Sequence, residues 1–125
     1  MDVGVRAKQE PEPKPESNIK NTSLYLEEAM EWQPCVYILT NKENGTLYVG
    51  VTSNLPKRIW QHKNKLIEGF SKRYNLDRLV WYEIHEDILS AITREKVIKY
   101  WKRQWKLEAI NNFNPTWKDL YKEIV

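Results

Sequence analysis

Regular patterning of apolar and polar positions begins only after Pro34. The runs "CVYILT" (35–40) and "TLYVGV" (46–51) are rich in β-branched and aromatic residues, and "NKENG" between them carries turn chemistry. That combination predicts a β-hairpin. If Asn41 pairs with Thr46, facing positions sum to 87, so Tyr37 lies opposite Gly50 and Leu39 opposite Tyr48, all four on one face. The missing side chain at Gly50 then leaves open space beside the Tyr37 phenol, a plausible pocket floor.

Next, "TSNLPKRIWQHKNKLIEG" predicts a helix. Ser53 or Asn54 serves as its N-cap, Pro56 is tolerated in the first turn, Ile59, Leu66 and Ile67 mark its apolar side, and Gly69 stops it. "RLVWYEIH" reads as a third strand. "DILSAITREKVIKYWKRQWKLEAINNF" reads as a long helical stretch, capped by Asp87, broken near Lys106 and ended by Asn114-Pro115, and "TWKDLYKEIV" as a last short helix. The order β-β-α-β-α-α predicts an α+β fold, a small three-stranded antiparallel sheet flanked by helices.

Residues 1–33 differ in character. "KQEPEPKPES" alternates proline with charge and cannot bury enough apolar surface to order itself. We expect an acidic, Pro-rich leader over 1–33, with at most a helical turn in "SLYLEEAMEWQP", and one domain over 34–125. Charge follows the same division. Residues 1–34 hold four basic and seven acidic residues, net −3, whereas 35–125 hold sixteen and ten, net +6. A basic domain suits a polyanionic partner. No apolar stretch approaches the roughly 20 residues needed to span a bilayer, so no membrane partner is expected. The start lacks an apolar signal-peptide core, and the single Cys35 cannot form an internal disulfide; both point to the cytoplasm.

Several side chains carry potential chemistry. Tyr37 and Tyr48 are diagonal neighbours on the hairpin, or ordinary sheet tyrosines beside a glycine bend. Arg58 and His62, four apart, share one helix side. The arginine fork suits phosphate and the imidazole can move a proton or hold a hydroxyl, although Lys57, Lys63 and Lys65 nearby also fit a solvated face. Glu95 has Ala91, Ile92 and Ile98 at i−4, i−3 and i+3, which places it on the inward stripe of its helix. A buried carboxylate needs a partner, such as Arg58 or a divalent cation. Zinc motifs, Gly-rich phosphate loops and catalytic-triad spacings are absent. With Glu95 the one strong interior acid, any metal site would hold a single hard ion completed by water and substrate oxygens, as suits magnesium. Trp101 and Trp105 in "KYWKRQWK" can pack in the core or stack on bases.

Taken in order, Val36-Tyr37, then Tyr48-Val49-Gly50 with ten residues between the tyrosines, then Arg58, His62 and Glu95 resemble the GIY-YIG nuclease superfamily. "RYNLDRLVWYE", "AITREKVIKYWKR" and "NPTWKDL" extend the likeness over about 34–122, to small stand-alone bacterial members related to the nicking domain of the excision-repair endonuclease. Cys35 stands where the first motif has Gly, and Val49 replaces Ile. Among Asn111, Asn112 and Asn114, Asn114 before Pro115 is taken as the family's late asparagine.

The resemblance implies a GIY-YIG-like fold and a metal-dependent endonuclease that hydrolyses DNA phosphodiester bonds, in DNA repair or processing. Tyr37 would act as general base or align the attacking water, with His62 able to accept its phenol proton. Tyr48 would position phosphate or water, Arg58 would stabilise phosphoryl charge, and Glu95 would hold Mg²⁺ or Mn²⁺, with Asn114 completing the site. Lys57, Lys63, Lys65, Lys72 and Arg73 would bind the nucleic acid. No separate targeting module is visible, so a protein partner supplying target recognition is expected. The same feature supports the alternative, a catalytically weak nucleic-acid-binding module acting with a partner.

Overall fold

The computed structural model describes residues 33–125; the leader expected over 1–33 and the helical turn expected in it lie, but for Gln33 and Pro34, outside the described residues. Strands β1 (Cys35–Thr40), β2 (Leu47–Thr52) and β3 (Arg78–Ile84) form one antiparallel sheet in the order β2-β1-β3. Among the described residues the helices are α1 (Leu55–Lys63), α2 (Phe70–Arg73), α3 (Ile88–Tyr100), α4 (Arg103–Phe113) and α5 (Tyr121–Ile124). The fold is α+β, as the pattern predicts. No helix among these residues is long and apolar enough to cross a membrane.

The hairpin has the expected register, with Tyr37 opposite Gly50 and Leu39 opposite Tyr48. Its turn is pinned locally: Asn41 Oδ1 accepts from Thr46 N at 3.3 Å, and Asn44 takes the left-handed conformation at φ 58°. From the far side, Arg103 donates to the carbonyls of Asn44 and Gly45 at 2.7 and 2.8 Å.

Alternation along β1 and β2 sorts the core into two clusters. Val36, Ile38, Val49 and Val51 face one way and pack with Ala91 and Ile98 of α3 and Ile110 of α4. Cys35, Tyr37 and Leu39 face the other way and pack with Leu55 and Ile59 of α1, Leu76 and Leu120, flanked by Tyr48 and Tyr82. Cys35 is buried there, so packing accommodates the replacement of the motif's Gly. The outer side of β3 is met by the C-terminal segment, where Leu120 N donates to Leu79 O at 2.8 Å. β2 forms the other edge of the sheet.

Three expectations are corrected. The space above Gly50 is not an open pocket floor, because the Tyr37 ring fills it. A Cβ at Gly50 would lie 2.5 Å from Tyr37 Oη and 2.9 Å from Cε1. Gly50→Ala is therefore expected to lower the unfolding free energy by about 1–3 kcal/mol through overpacking. A urea midpoint equal to wild type would contradict that.

Secondly, α1 ends at Lys63 and does not continue to Gly69. Lys65 adopts φ 58°, its N–H donates to His62 O at 3.0 Å, and Leu66 N donates to Gln61 O at 2.9 Å. That is a Schellman ending with lysine in the seat usually given to glycine. Leu66, expected on the apolar side, is 58% exposed as a result.

Thirdly, the long helical stretch breaks at Trp101–Lys102 and not near Lys106. Both residues are extended, with ψ of 144° and 156°. No Gly or Pro marks the place. Local and tertiary contacts hold the break: Arg94 lies over the Trp101 ring at 5.3 Å, Lys106 Nζ caps Lys99 O at 3.1 Å, and Arg103 reaches the hairpin turn. The N-caps Asn54 and Asp87 and the C-cap Asn114 stand where the sequence puts them.

Candidate active site

The tyrosine face of the hairpin meets α1 at one compact cluster. α1 opens on Asn54, whose Oδ1 accepts from Lys57 N at 3.2 Å. Its inward side carries Leu55, Arg58, Ile59 and His62. Tyr37 Oη lies 2.8 Å from His62 Nε2 in a buried hydrogen bond. The Tyr48 ring stands edge-on to His62 with centroids 5.5 Å apart, and 6.3 Å from the Tyr37 ring. Tyr37, Tyr48 and His62 are thus brought together. Arg58 precedes His62 by one turn on the same buried side.

Electrostatics fix the state of the imidazole. Burial, reinforced by the nearby Arg58 guanidinium, lowers the His62 pKa from 6.5 to about 3. His62 is therefore neutral at neutral pH. Accepting the phenol proton, the role the resemblance allows it, would create a buried imidazolium beside a guanidinium.

Burial also separates the two phenols. Tyr37 is 0% exposed, whereas Tyr48 is half-buried and retains contact with solvent. Tyr37 is enclosed, with its hydroxyl on His62.

Glu95 is 0% exposed on α3, between Ala91 and Ile98, as its spacing predicts. α3 covers the valine face of β1 and β2, and α1 covers the tyrosine face. Glu95 and the tyrosine–histidine cluster therefore flank the same two strands from opposite layers. Among the described residues no group of three or more His, Cys, Asp or Glu side chains gathers to hold a metal. The donor chemistry fits an ion held by one hard carboxylate and otherwise by water and phosphate oxygens, which is how Mg²⁺ or Mn²⁺ binds at phosphoryl sites.

Asn114 is structural in its contacts. It is buried at the end of α4, and its amide donates to Val80 O at 3.2 Å and Lys118 O at 2.9 Å. These bonds fasten β3 to the C-terminal turn, and none among the described residues joins Asn114 to the tyrosine–histidine cluster.

The five candidate nucleic-acid cations divide by their partners. Lys63 Nζ donates to Asp77 O at 2.9 Å and pairs with Asp119, which commits it to the fold. Lys65 lies 3.8 Å from Asp77 and Lys72 pairs with Glu68 at 2.9 Å, both at the surface. Lys57 and Arg73 are exposed and make no ion pair among the described residues. Trp101 is half-buried and Trp105 exposed, in edge contact at 6.4 Å, so neither is a full core residue.

Sequence reasoning missed Ser71. This buried residue of α2 lies with Oγ 3.1 Å from His62 Nδ1. Nothing in the spacing of "GFSKRY" marks it, because the contact depends on where the chain turns after α1.

Comparison with known proteins bears on this cluster. Residues 33–108 match the GIY-YIG catalytic domain. The chain is 36% identical over 89 residues to a UPF0213 protein of Clostridium perfringens, covering 71% of this chain and 95% of that one. It is 34% identical over 76 residues to a UPF0213 protein of Staphylococcus saprophyticus, covering 61% and 92%. A shorter likeness, 54% over 44 residues, covers 35% of this chain and 38% of the UPF0213 protein in the VLF1-GP41 intergenic region of the Autographa californica nuclear polyhedrosis virus. No solved structure matches the chain significantly.

Proposed function

Because the chain belongs to the GIY-YIG catalytic-domain family, a nuclease family whose members bind nucleic acid and generally use divalent metal ions, we propose that it is a metal-dependent DNA endonuclease. The observation that carries this reading is the Tyr37–His62 bond with Tyr48 packed against it and Arg58 one turn away. Such a set offers a phenol at the solvent boundary, a fixed neutral imidazole and a guanidinium within one small volume.

The division of labour follows from exposure. Tyr48 takes or orients the proton of the attacking water, as the more exposed of the two phenols. Arg58 offsets charge growing on the phosphoryl oxygens. Tyr37 and His62 hold Tyr48 in place. Glu95 is the residue that would hold the divalent ion, which when bound supplies charge stabilisation at the leaving oxygen. Lys57 and Arg73, with Lys65 and Lys72 beside them, attract the backbone.

Nicking of supercoiled plasmid in Mg²⁺, compared with EDTA and with Glu95→Gln, tests the proposal. Wild type should convert the plasmid to open circle, EDTA should abolish this, and Glu95→Gln should slow it at least 100-fold. If wild type and variant both leave the plasmid intact yet bind it with a steep salt dependence, the chain is a binding module and the enzyme reading fails.

A further inference from the structure

α1 stops early, and the early stop has a consequence for His62. Ser71 follows His62 by nine residues. Were one helix to run on through residue 71, the two would stand about 13 Å apart along its axis. The left-handed turn at Lys65 and the positive φ of Gly69, 119°, instead fold the chain back. α2 then presents Ser71 to the imidazole from the side opposite Tyr37. The result is a buried line of three side chains, Ser71 Oγ to His62 Nδ1 at 3.1 Å and His62 Nε2 to Tyr37 Oη at 2.8 Å.

We propose that Ser71 is a positioning residue of the site: its hydroxyl oxygen accepts the Nδ1–H of His62, holding the imidazole as the Nδ1–H tautomer with Nε2 as acceptor for the Tyr37 hydroxyl. In a neutral imidazole one nitrogen donates and the other accepts, and the partner of each decides which. The two hydroxyls are not equivalent. A phenol, ionising near pH 10, is a better donor and poorer acceptor than an aliphatic alcohol. The stronger arrangement therefore has Tyr37 donating and Ser71 accepting. The low proton affinity of His62 agrees with it, because the ring must be neutral for Nε2 to accept.

Bonds at both ends of the ring also stop it rotating. Tyr48 packs edge-on to that ring, so a fixed His62 fixes the wall against which the partly exposed Tyr48 rests. The catalytic part of this inference rests on the nuclease reading; the tautomer part stands without it.

The test takes advantage of a chain with two histidines, His62 and His85. In a His85→Gln background of the full chain, the ¹⁵N signals of His62 report its tautomer directly. Wild type should show a protonated Nδ1 and an unprotonated Nε2. Ser71→Ala should lose that signature and Ser71→Thr should keep it. In plasmid nicking, Ser71→Ala should lower kcat about 3- to 10-fold at unchanged KM, with Ser71→Thr near wild type. Finding His62 protonated on Nε2 in wild type overturns the proposal, and this needs no Ser71 variant to fold. An unchanged signature in Ser71→Ala, or a changed signature with unchanged kcat, also overturns it. If wild type does not nick at all, the nuclease reading fails while the nitrogen spectrum still decides what Ser71 does to His62.

Discussion

Tyr48→Phe is expected to reduce plasmid nicking by about 10²- to 10⁴-fold while leaving the urea midpoint close to wild type. The hydroxyl lost belongs to the more exposed of the two phenols, and the ring contacts with His62 and Tyr37 survive in phenylalanine. Tyr37→Phe should give the opposite balance. Removing Tyr37 Oη strips His62 Nε2 of its buried partner, a loss of about 1–3 kcal/mol in stability. Its kcat should fall less than that of Tyr48→Phe. Single-turnover nicking and urea unfolding of the two variants, side by side, separate the roles. A larger rate loss in Tyr37→Phe would return the water-handling task to the enclosed phenol.

Acid should destabilise the domain well above the carboxylate range. An unfolded histidine binds its proton near pH 6.5, whereas folded His62 resists until about 3. Between those values the unfolded chain holds more protons, so stability rises with pH and is lost as pH falls through that window. The contribution is fully present above pH 6.5. It is smaller by about 2 kcal/mol at pH 5 and by about 5 kcal/mol below pH 3. Glu83, whose pKa lies below the ordinary carboxylate value, adds to the acid loss only at lower pH. Urea unfolding at pH 7.5 and pH 5.0 isolates the histidine. Wild type should lose about 2 kcal/mol between them, and His62→Gln, less stable at pH 7.5, should lose much less. Equal losses in both proteins would assign the acid sensitivity elsewhere.

What was legible in the sequence was whatever short-range chemistry decides. Turn residues and strand alternation set the hairpin register, which put Tyr37 opposite Gly50 before any coordinates. Capping preferences placed Asn54 and Asp87, and helical spacing turned Glu95 inward. The rest was settled by contacts between distant segments. Lysine at Lys65 adopts the conformation expected of glycine because the chain must double back there. Trp101 breaks a helix that propensity alone would continue, since Arg94 and the hairpin turn hold its two halves. Spacing could name Gly50 but not say that the neighbouring phenol occupies its vacancy. Ser71 left no trace at all, since a single hydroxyl acquires meaning only from what it is folded against.

The two-residue period of β1 has a further implication. Tyr37 is flanked in sequence by Val36 and Ile38, which belong to the opposite cluster. A one-residue slip of this strand would send the tyrosine into the aliphatic layer and a valine or isoleucine to His62. Reactive groups and packing groups are therefore inherited as one unit. An insertion in this strand would disturb chemistry and packing together, and the return from α1 to α2 is bound to the same cluster through the Ser71–His62 contact.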